Sequence, residues 1–247
     1  MHLSPWSVQI QGAQFDLDHL AQNFTVAPFI VRREEEPTGY IFECTDFSGC
    51  KTSEEVLKVA DEKLLLLSGV LKLMRESSQH LRSGAVYRTN ANGGRDVFVH
   101  IRETLHLRAE VGVVGVTITD SEGKVVSISP PPPRTVGLSR LASSDAAVAK
   151  VMRLLAASDA YSWVGLYRLY EVVEADIGDE RTLQAMQWGS PSDLKRFKHS
   201  ANSVTVAGDA ARHGKESALP PSKPMSIDEA KTYVTHLLQA WLAKKGA

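Results

Sequence analysis

The chain has 247 residues, 43% of them hydrophobic, which is enough to bury a substantial core in one large domain or two of ordinary size. Its formal net charge of -1 is unevenly distributed. Residues 1–133 have 13 basic and 17 acidic side chains, for a net charge of -4, whereas residues 134–247 have 15 basic and 12 acidic side chains, for a net charge of +3. A net charge of +3 permits contact with a polyanion, but it is not the dense basic face typical of a dedicated nucleic-acid-binding domain.

The N-terminal segment and the cysteines indicate a soluble cytoplasmic protein. The opening residues, MHLSPWSVQIQG, have no basic region followed by a long apolar run, and no stretch of about 18 apolar residues occurs in the chain. We therefore expect neither a secretory signal nor contact with a membrane. Cys44 and Cys50 are too few for a zinc knuckle, and we expect them to be reduced structural thiols.

The first part of the chain alternates strand and helix patterns. An edge strand is predicted over Trp6–Ile10, and a short helix over Phe15–Phe24. Pro28–Arg33 and Tyr40–Cys44 have the pattern of a hairpin whose tip is acidic and contains a proline.

A long helix is predicted over Ser53–Arg75, opened by a capping box of Thr52 and Glu55. Its apolar row keeps the helical period, so it should pack against a sheet. The strands of that sheet are predicted over Ala85–Thr89, Val97–Leu107, Val111–Thr119 and Lys124–Ile128, with glycine-containing turns between them. Residues 1–129 are therefore predicted to form an α+β domain in which the long helix packs on an antiparallel sheet.

Four consecutive prolines, Pro130-Pro131-Pro132-Pro133, mark the predicted domain boundary. They continue neither a strand ladder nor a helix, and they favour the extended polyproline conformation. We interpret residues 130–136 as a semi-rigid linker; a ligand for a proline-binding module is the alternative.

Residues 137–247 are predicted to form an all-α helical bundle. Its main helices are predicted over Asp145–Ala157, Tyr161–Ile177, Ser190–His213 and Ile227–Lys245. The last is the clearest, because Ser226 and Glu229 form a capping box at its start. Trp163, Tyr167 and Tyr170 keep helical spacing, and we expect them to lie in the core.

The helix predicted over Ser190–His213 carries an unusual polar stripe. At about 100° per residue, five positions fall within an arc of roughly 80°, where a core helix would be apolar. These positions are His199, Asn202, Val206, Asp209 and His213. Two interpretations stay open: the stripe ties the helix to the loop Lys215–Met225, or it is a site for RNA, nucleotide or phosphate.

Candidate site residues follow from the second interpretation. Arg196, Lys198, His199 and Arg212 supply cations for phosphate, Asn202 adds a polar contact, and His213 is placed to exchange a proton near neutral pH. His199 and His213 stand fourteen residues apart, about 21 Å along a helix, so they cannot share a metal ion. We expect no metal or other cofactor.

The segment Gly208-Asp209-Ala210-Ala211-Arg212-His213-Gly214, late in a helical bundle, resembles the HEPN (higher eukaryotes and prokaryotes nucleotide-binding) superfamily. The resemblance covers roughly residues 143–245, and many members are ribonucleases of bacterial or phage defence and toxin systems. It implies His213 as general acid or base at a 2′-hydroxyl, Asp209 as the polar residue of the motif, and a homodimer. In the family's catalytic motif an arginine, commonly followed by a polar residue, precedes the histidine by four to six residues. That arginine is absent here, since positions 206–208 are Val206, Ala207 and Gly208, so Arg212 or Arg196 would take its role.

Two function hypotheses therefore stand at the level of sequence. The first is an RNA- or nucleotide-directed protein, a metal-independent endoribonuclease if it is an enzyme. The second is a non-catalytic protein-binding or assembly module in which the polar stripe is structural, and the missing arginine favours it. A small-molecule enzyme with a cleft between the domains is a third possibility.

Overall fold

The computed structural model describes residues 4–35, 39–77, 79–90, 92–100, 134–208, 211–212 and 222–246. The chain divides into two compact units, one of Met1–Asp61 with Leu81–Val136 and the other of Glu62–His80 with Gly137–Ala247. The predicted fold class is confirmed, because an antiparallel sheet with helices precedes an all-helical part. The division cuts the long helix, which the sequence analysis had assigned as a whole to the first domain.

The first unit is built on a six-stranded antiparallel sheet in the order β2-β3-β4-β1-β5-β6. The strands are β1 (Trp6–Gln11), β2 (Thr25–Val26), β3 (Phe29–Glu34), β4 (Gly39–Cys44), β5 (Arg82–Thr89) and β6 (Arg95–Phe98). Helix α1 (Gln14–Asn23) packs on β3 and buries Leu17 and Leu20. The predicted hairpin of β3 and β4 is confirmed.

The position of β1 corrects the sequence prediction, which placed this strand at an edge. Val8 pairs with Phe42 of β4 on one side and with Val86 of β5 on the other, so β1 is central. Alternation of apolar and polar residues reports that a strand has two different faces, and it does not report how many neighbours the strand has. Ser7 is itself buried on the more polar face.

The turn between β5 and β6 forms as the sequence predicts. Gly93 adopts a positive φ of 79°, which a side chain would strain. The Asn90 side-chain oxygen accepts hydrogen bonds from the backbone N–H groups of Asn92 and Gly94. The predicted strands over 111–119 and 124–128, residues 101–107 of the one predicted over 97–107, and residues 130–133 of the predicted linker lie outside the described residues. The linker prediction is wrong for residues 134–136, which form the first turn of the helix Arg134–Ser144.

The second unit is helical and includes the second half of the long helix α2 (Ser53–Arg75). Its further helices are α3 (Arg134–Ser144), which begins at the end of the first unit, α4 (Ala146–Ala156), α5 (Trp163–Ile177), α6 (Glu180–Ala185), α7 (Pro191–Asn202), α8 (Val204–Ala207) and α9 (Ile227–Lys244). The predicted capping box of Ser226 and Glu229 opens α9. Helices α3 and α6 were not predicted from the sequence, since neither carries a long periodic apolar row.

The core of the second unit is rich in aromatic side chains. Tyr170, Phe197 and Trp241 are fully buried, and the Tyr167 ring stacks on Phe197 with centroids 5.7 Å apart. The prediction that Trp163, Tyr167 and Tyr170 lie in the core is confirmed.

The helix predicted over Ser190–His213 is wrong in its second half. Helix α7 ends at Asn202, Ser203 is extended with φ -92° and ψ 118°, and the four-residue α8 follows. Gly208 then has a φ of 58°. The β-branched run Val204-Thr205-Val206 and the glycine lower helix propensity enough for the chain to leave the helix.

Candidate functional site

Five of the seven predicted site residues are described. Arg196, Lys198, His199 and Asn202 lie on α7, and Arg212 lies beyond α8. The other two, Asp209 and His213, lie outside the described residues. Because α7 ends at Asn202, the stripe is not one continuous helix face.

Arg196 makes hydrogen bonds and ion pairs with other residues of the protein. Its guanidinium donates to the backbone carbonyls of Lys223 and Pro224, each at 3.2 Å. It also contacts Asp193 Oδ1 at 3.3 Å and Glu229 Oε1 at 3.1 Å. Arg196 therefore ties α7 to the start of α9 and to the segment before it.

Lys198 and Arg212 are likewise paired with acidic side chains. Lys198 Nζ lies 2.5 Å from Glu180 Oε2. Burial opposes the charge of Lys198, but the hydrogen bond to Glu180 together with the surrounding negative groups raises its pKa. Arg212 Nη2 lies 2.6 Å from Glu171 Oε1, and its guanidinium lies 4.2 Å from the Tyr167 ring centroid. Both cations act as bridges between helical segments rather than as groups facing a polyanion.

His199 and Asn202 differ in exposure. His199 is exposed near the end of α7. Asn202 is half-buried: its Nδ2 donates to the Lys198 carbonyl at 2.8 Å, and its buried Oδ1 has no hydrogen-bond partner among the described residues. Asn202 thus supports the last turn of α7.

A groove between α4 and α5 was not found from the sequence. Its volume is about 600 Å³. Small and medium apolar side chains line its floor, among them Ala146, Ala147, Leu154, Val172 and Ala175. The pattern that could have revealed it is the alanine-rich exposed side of α4, which core-periodicity arguments ignore.

Four charged side chains form the rim of this groove, and they differ in whether they are paired with other residues of the protein. Glu171 is paired with Arg212, and Asp176 accepts hydrogen bonds from Trp241 Nε1 at 2.9 Å and from Lys245 Nζ at 3.0 Å. The two cations of the rim, by contrast, form at most a weak ion pair with the described residues.

Those two cations are Lys150 and Arg168. Lys150 is exposed and makes no ion pair with any residue that the structure describes. Arg168 Nη1 lies 3.6 Å from Asp159 Oδ2, and both side chains are more than half exposed, which makes this pair weak. The charge that the rim offers to a ligand is therefore positive.

A second groove, of about 530 Å³, lies between α7 and α9 and contains His236, which the sequence analysis missed. Its Nδ1 lies 3.0 Å from the Trp188 carbonyl oxygen. A carbonyl only accepts, so Nδ1 carries the proton and Nε2 is the basic nitrogen of the neutral ring. Two of the three carboxylates that line this groove are already engaged: Asp193 and Glu229 both contact Arg196, and Glu229 also caps α9.

A charged cluster lies on the more polar face of the sheet in the first unit. Arg32 contacts Glu34 at 2.7 Å and Glu43 at 2.5 Å, and Arg95 contacts Glu34 at 2.5 Å. The hydrogen bond from Arg95 lowers the pKa of Glu34 to about 2, against the effect of burial and with help from Arg32. Two cations and two anions balance, so the cluster has no net charge for an ionic ligand.

Within the described ranges, no group of three or more His, Cys, Asp or Glu side chains could hold a metal ion. Among the helices that the structure describes, none has an apolar stretch sufficient to cross a bilayer. Cys44 and Cys50 form no disulfide within the described part of the chain.

Comparison of the chain with protein-family models, curated proteins and solved structures finds no match. The resemblance to the HEPN superfamily, and the ribonuclease, defence and homodimer expectations that depend on it, therefore stay predictions.

Proposed function

We propose that this chain is a non-catalytic binding module whose helical unit holds an acidic amphipathic helix of another protein in the α4–α5 groove. One observation carries the proposal: above a floor of small apolar side chains, the acids of the rim are paired within the protein while Lys150 and Arg168 are available.

The floor of the groove suits a helix. Ala147 and Ala175 leave room for a partner's backbone to approach, and Leu154 and Val172 offer apolar surface to its side chains. An amphipathic helix in such a groove buries residues at i, i+3, i+4 and i+7 on one side. Burial of apolar area then supplies most of the binding free energy.

The charged side chains of the rim determine whether an acidic or a basic partner helix binds. Lys150 and Arg168 make at most one weak ion pair with described residues, so they attract acidic side chains that flank the apolar stripe of a bound helix. Glu171 is paired with Arg212, and Asp176 is paired with Lys245, which it shares with Asp145. Both acids therefore repel such a partner less than unpaired carboxylates would.

Recognition of RNA is less well supported. Arg196, Lys198 and Arg212, the cations predicted to contact phosphate, are engaged with carboxylates. No aromatic side chain stands among the described residues of the α4–α5 groove, whereas binding of single-stranded nucleic acid commonly uses aromatic stacking. The roles predicted for Asp209 and His213 stay predictions.

The test uses two synthetic helical peptides of about 18 residues, long enough for five turns. Both carry the same leucine and alanine stripe, flanked by glutamate in one and by lysine in the other. Fluorescence anisotropy of the labelled peptides with the full chain should show tighter binding of the glutamate peptide. Raising the salt concentration should weaken that preference.

Variants identify the surface. The double substitution Lys150→Glu, Arg168→Glu should weaken binding of the glutamate peptide by at least about tenfold and favour the lysine peptide. Ala175→Trp should weaken both by filling the groove. Lys195→Glu, at an exposed lysine of α7, is the matched control and should change neither. Equal affinity for the two peptides, no binding, or binding of a mixed-sequence single-stranded RNA in their place would overturn the proposal.

A further inference from the structure

Two lysines from different helices converge on one tyrosine ring in the helical unit. Lys72 Nζ, from the end of α2, lies 5.1 Å from the ring centroid of Tyr161, and Lys231 Nζ, from the start of α9, lies 4.7 Å from it. Lys72 Nζ also donates to the Ala157 carbonyl at 3.0 Å. The contacts hold two amines beside one half-buried aromatic side chain.

The acidic side chains around Lys72 and Lys231 do not fully compensate the positive charge of these two lysines. Neither Lys72 nor Lys231 makes an ion pair with a residue that the structure describes. Asp159 raises the pKa of Lys72, but its carboxylate also faces Arg168 at 3.6 Å. Burial and, to a smaller extent, the charge of Glu76 raise the pKa of Tyr161.

Burial lowers the pKa of Lys72, and the Lys231 ammonium lowers it further against the opposing effect of Asp159. A desolvated lysine next to a second cation is one of the arrangements by which proteins make an amine nucleophilic. Lys231 keeps a positive charge beside it, which attracts an anion.

We propose that Lys72 and Lys231 form a capture site for small aldehydes or ketones that carry an anionic group, Lys72 as the nucleophile and Lys231 as the anchor of the anion. This site is separate from the α4–α5 groove and does not depend on the function proposed for it.

The reaction is formation of an imine. The neutral Lys72 amine adds to the carbonyl carbon, and the carbinolamine then loses water to leave a carbon–nitrogen double bond. That water takes its oxygen from the carbonyl and its two hydrogens from the amine, so no oxidant or reductant is needed. The Tyr161 ring lies beside both amines.

The experiment labels the full chain with pyridoxal 5′-phosphate at neutral pH, reduces the imines with borohydride and quantifies each lysine by peptide mass spectrometry. We expect Lys72 to be labelled several-fold faster than Lys150, an exposed lysine without an ion pair to the described residues. Pyridoxal lacks the phosphate and reacts more slowly with every amine, because its 5′-hydroxyl closes on the aldehyde as a hemiacetal. The preference for the phosphate ester is therefore the ratio of the two labelling rates at Lys72 divided by the same ratio at the exposed Lys195, and it should exceed one.

Substitutions of Lys231 test whether it anchors the anion while Lys72 is the nucleophile. Lys231→Gln should slow the labelling of Lys72 and abolish its preference for the phosphate ester, while Lys231→Arg should retain the preference because it retains the charge. Lys195→Gln is the control and should have no effect. Labelling of Lys72 no faster than of Lys150, or a preference that survives Lys231→Gln in a variant whose circular dichroism is unchanged, would overturn the proposal.

Discussion

Glu34 joins two arginines that come from different strands. It lies on β3, with Arg32 two residues before it and Arg95 on β6, 61 residues along the chain. The Glu34 side chain is only 15% exposed, so water screens these contacts less than it would at the surface. The two ion pairs should contribute to stability as well as to the arrangement of the sheet face.

The low pKa of Glu34 predicts how that contribution depends on pH. The folded value is about 2 and the reference value is 4.5, so the stabilisation is complete above the unfolded value and is lost as pH falls from there toward 2. Glu34→Gln should lower the free energy of unfolding by about 1–3 kcal/mol near neutral pH. Urea unfolding of both proteins should show this difference shrinking at about pH 3.

Glu62→Gln is the control for this prediction. Glu62 is exposed on α2 and makes no ion pair with the described part of the chain. It should leave the free energy of unfolding within about 0.5 kcal/mol of the wild type at both pH values. A difference for Glu34→Gln that stayed constant with pH would contradict the assigned pKa.

The partners of the predicted site residues explain why their roles were not predictable. Lys198 pairs with Glu180, 18 positions away, and Arg212 pairs with Glu171, 41 positions away. Sequence patterns report which residues share a helix face, but an ion pair between helices depends on the packing of the whole unit. A lysine that faces a carboxylate and one that faces solvent look the same in the sequence.

At the scale of the elements, α2 and α4 approach each other through a glycine. A Cβ added at Gly69 would lie 2.0 Å from the Met152 carbonyl oxygen and 2.6 Å from its carbonyl carbon. Both neighbours are backbone atoms and cannot move aside as a flexible side chain would. Gly69 therefore fixes the separation of the two helices.

Gly69→Ala should destabilise the protein by at least about 2 kcal/mol because the two helices must separate. Gly137, in α3, is the matched control, since an added Cβ there meets nothing within 4 Å. Gly137→Ala should stabilise by about 0.5–1 kcal/mol through its helix propensity. Thermal and urea unfolding check both signs, and a neutral Gly69→Ala would show that the close approach is not maintained in solution.

The elements predicted correctly are those in which several local signals agree. Helix α9 has a capping box, a periodic apolar row and a basic last turn, and its observed end differs from the prediction by one residue. The break at Ser203 was missed because the polar periodicity seemed continuous, although the β-branched run and Gly208 opposed it. The candidate site depended on that continuity, so it was less predictable than the fold.

At the scale of the whole molecule, α2 contributes to both compact units. Its first residues belong to the unit that contains the sheet, and residues 62–80 belong to the helical unit. Leu66, Val70 and Leu73 are part of the same buried cluster as the side chains of α5 and α9. The helical unit is therefore not encoded by residues 137–247 alone.

A fragment of residues 137–247 should lack cooperative unfolding, because it exposes the surface that Leu66, Val70 and Leu73 cover. Increased binding of a hydrophobic dye and a broad urea transition would report this loss. Adding a peptide of residues 53–80 should restore a cooperative transition, and a variant peptide with Val70→Asp should not. Cooperative unfolding of the fragment by itself would show that the long helix is dispensable to this unit.

The central position of β1 has a consequence for synthesis on the ribosome. Its neighbour β5 is translated only after α2, so the sheet cannot close before the apolar side of α2 has emerged. The partners of that side on α4, α5 and α9 emerge later still. Neither unit can complete its folding before part of the other has been synthesised. Nascent chains that pause between β5 and α4 should therefore be good substrates for chaperones that bind exposed apolar segments.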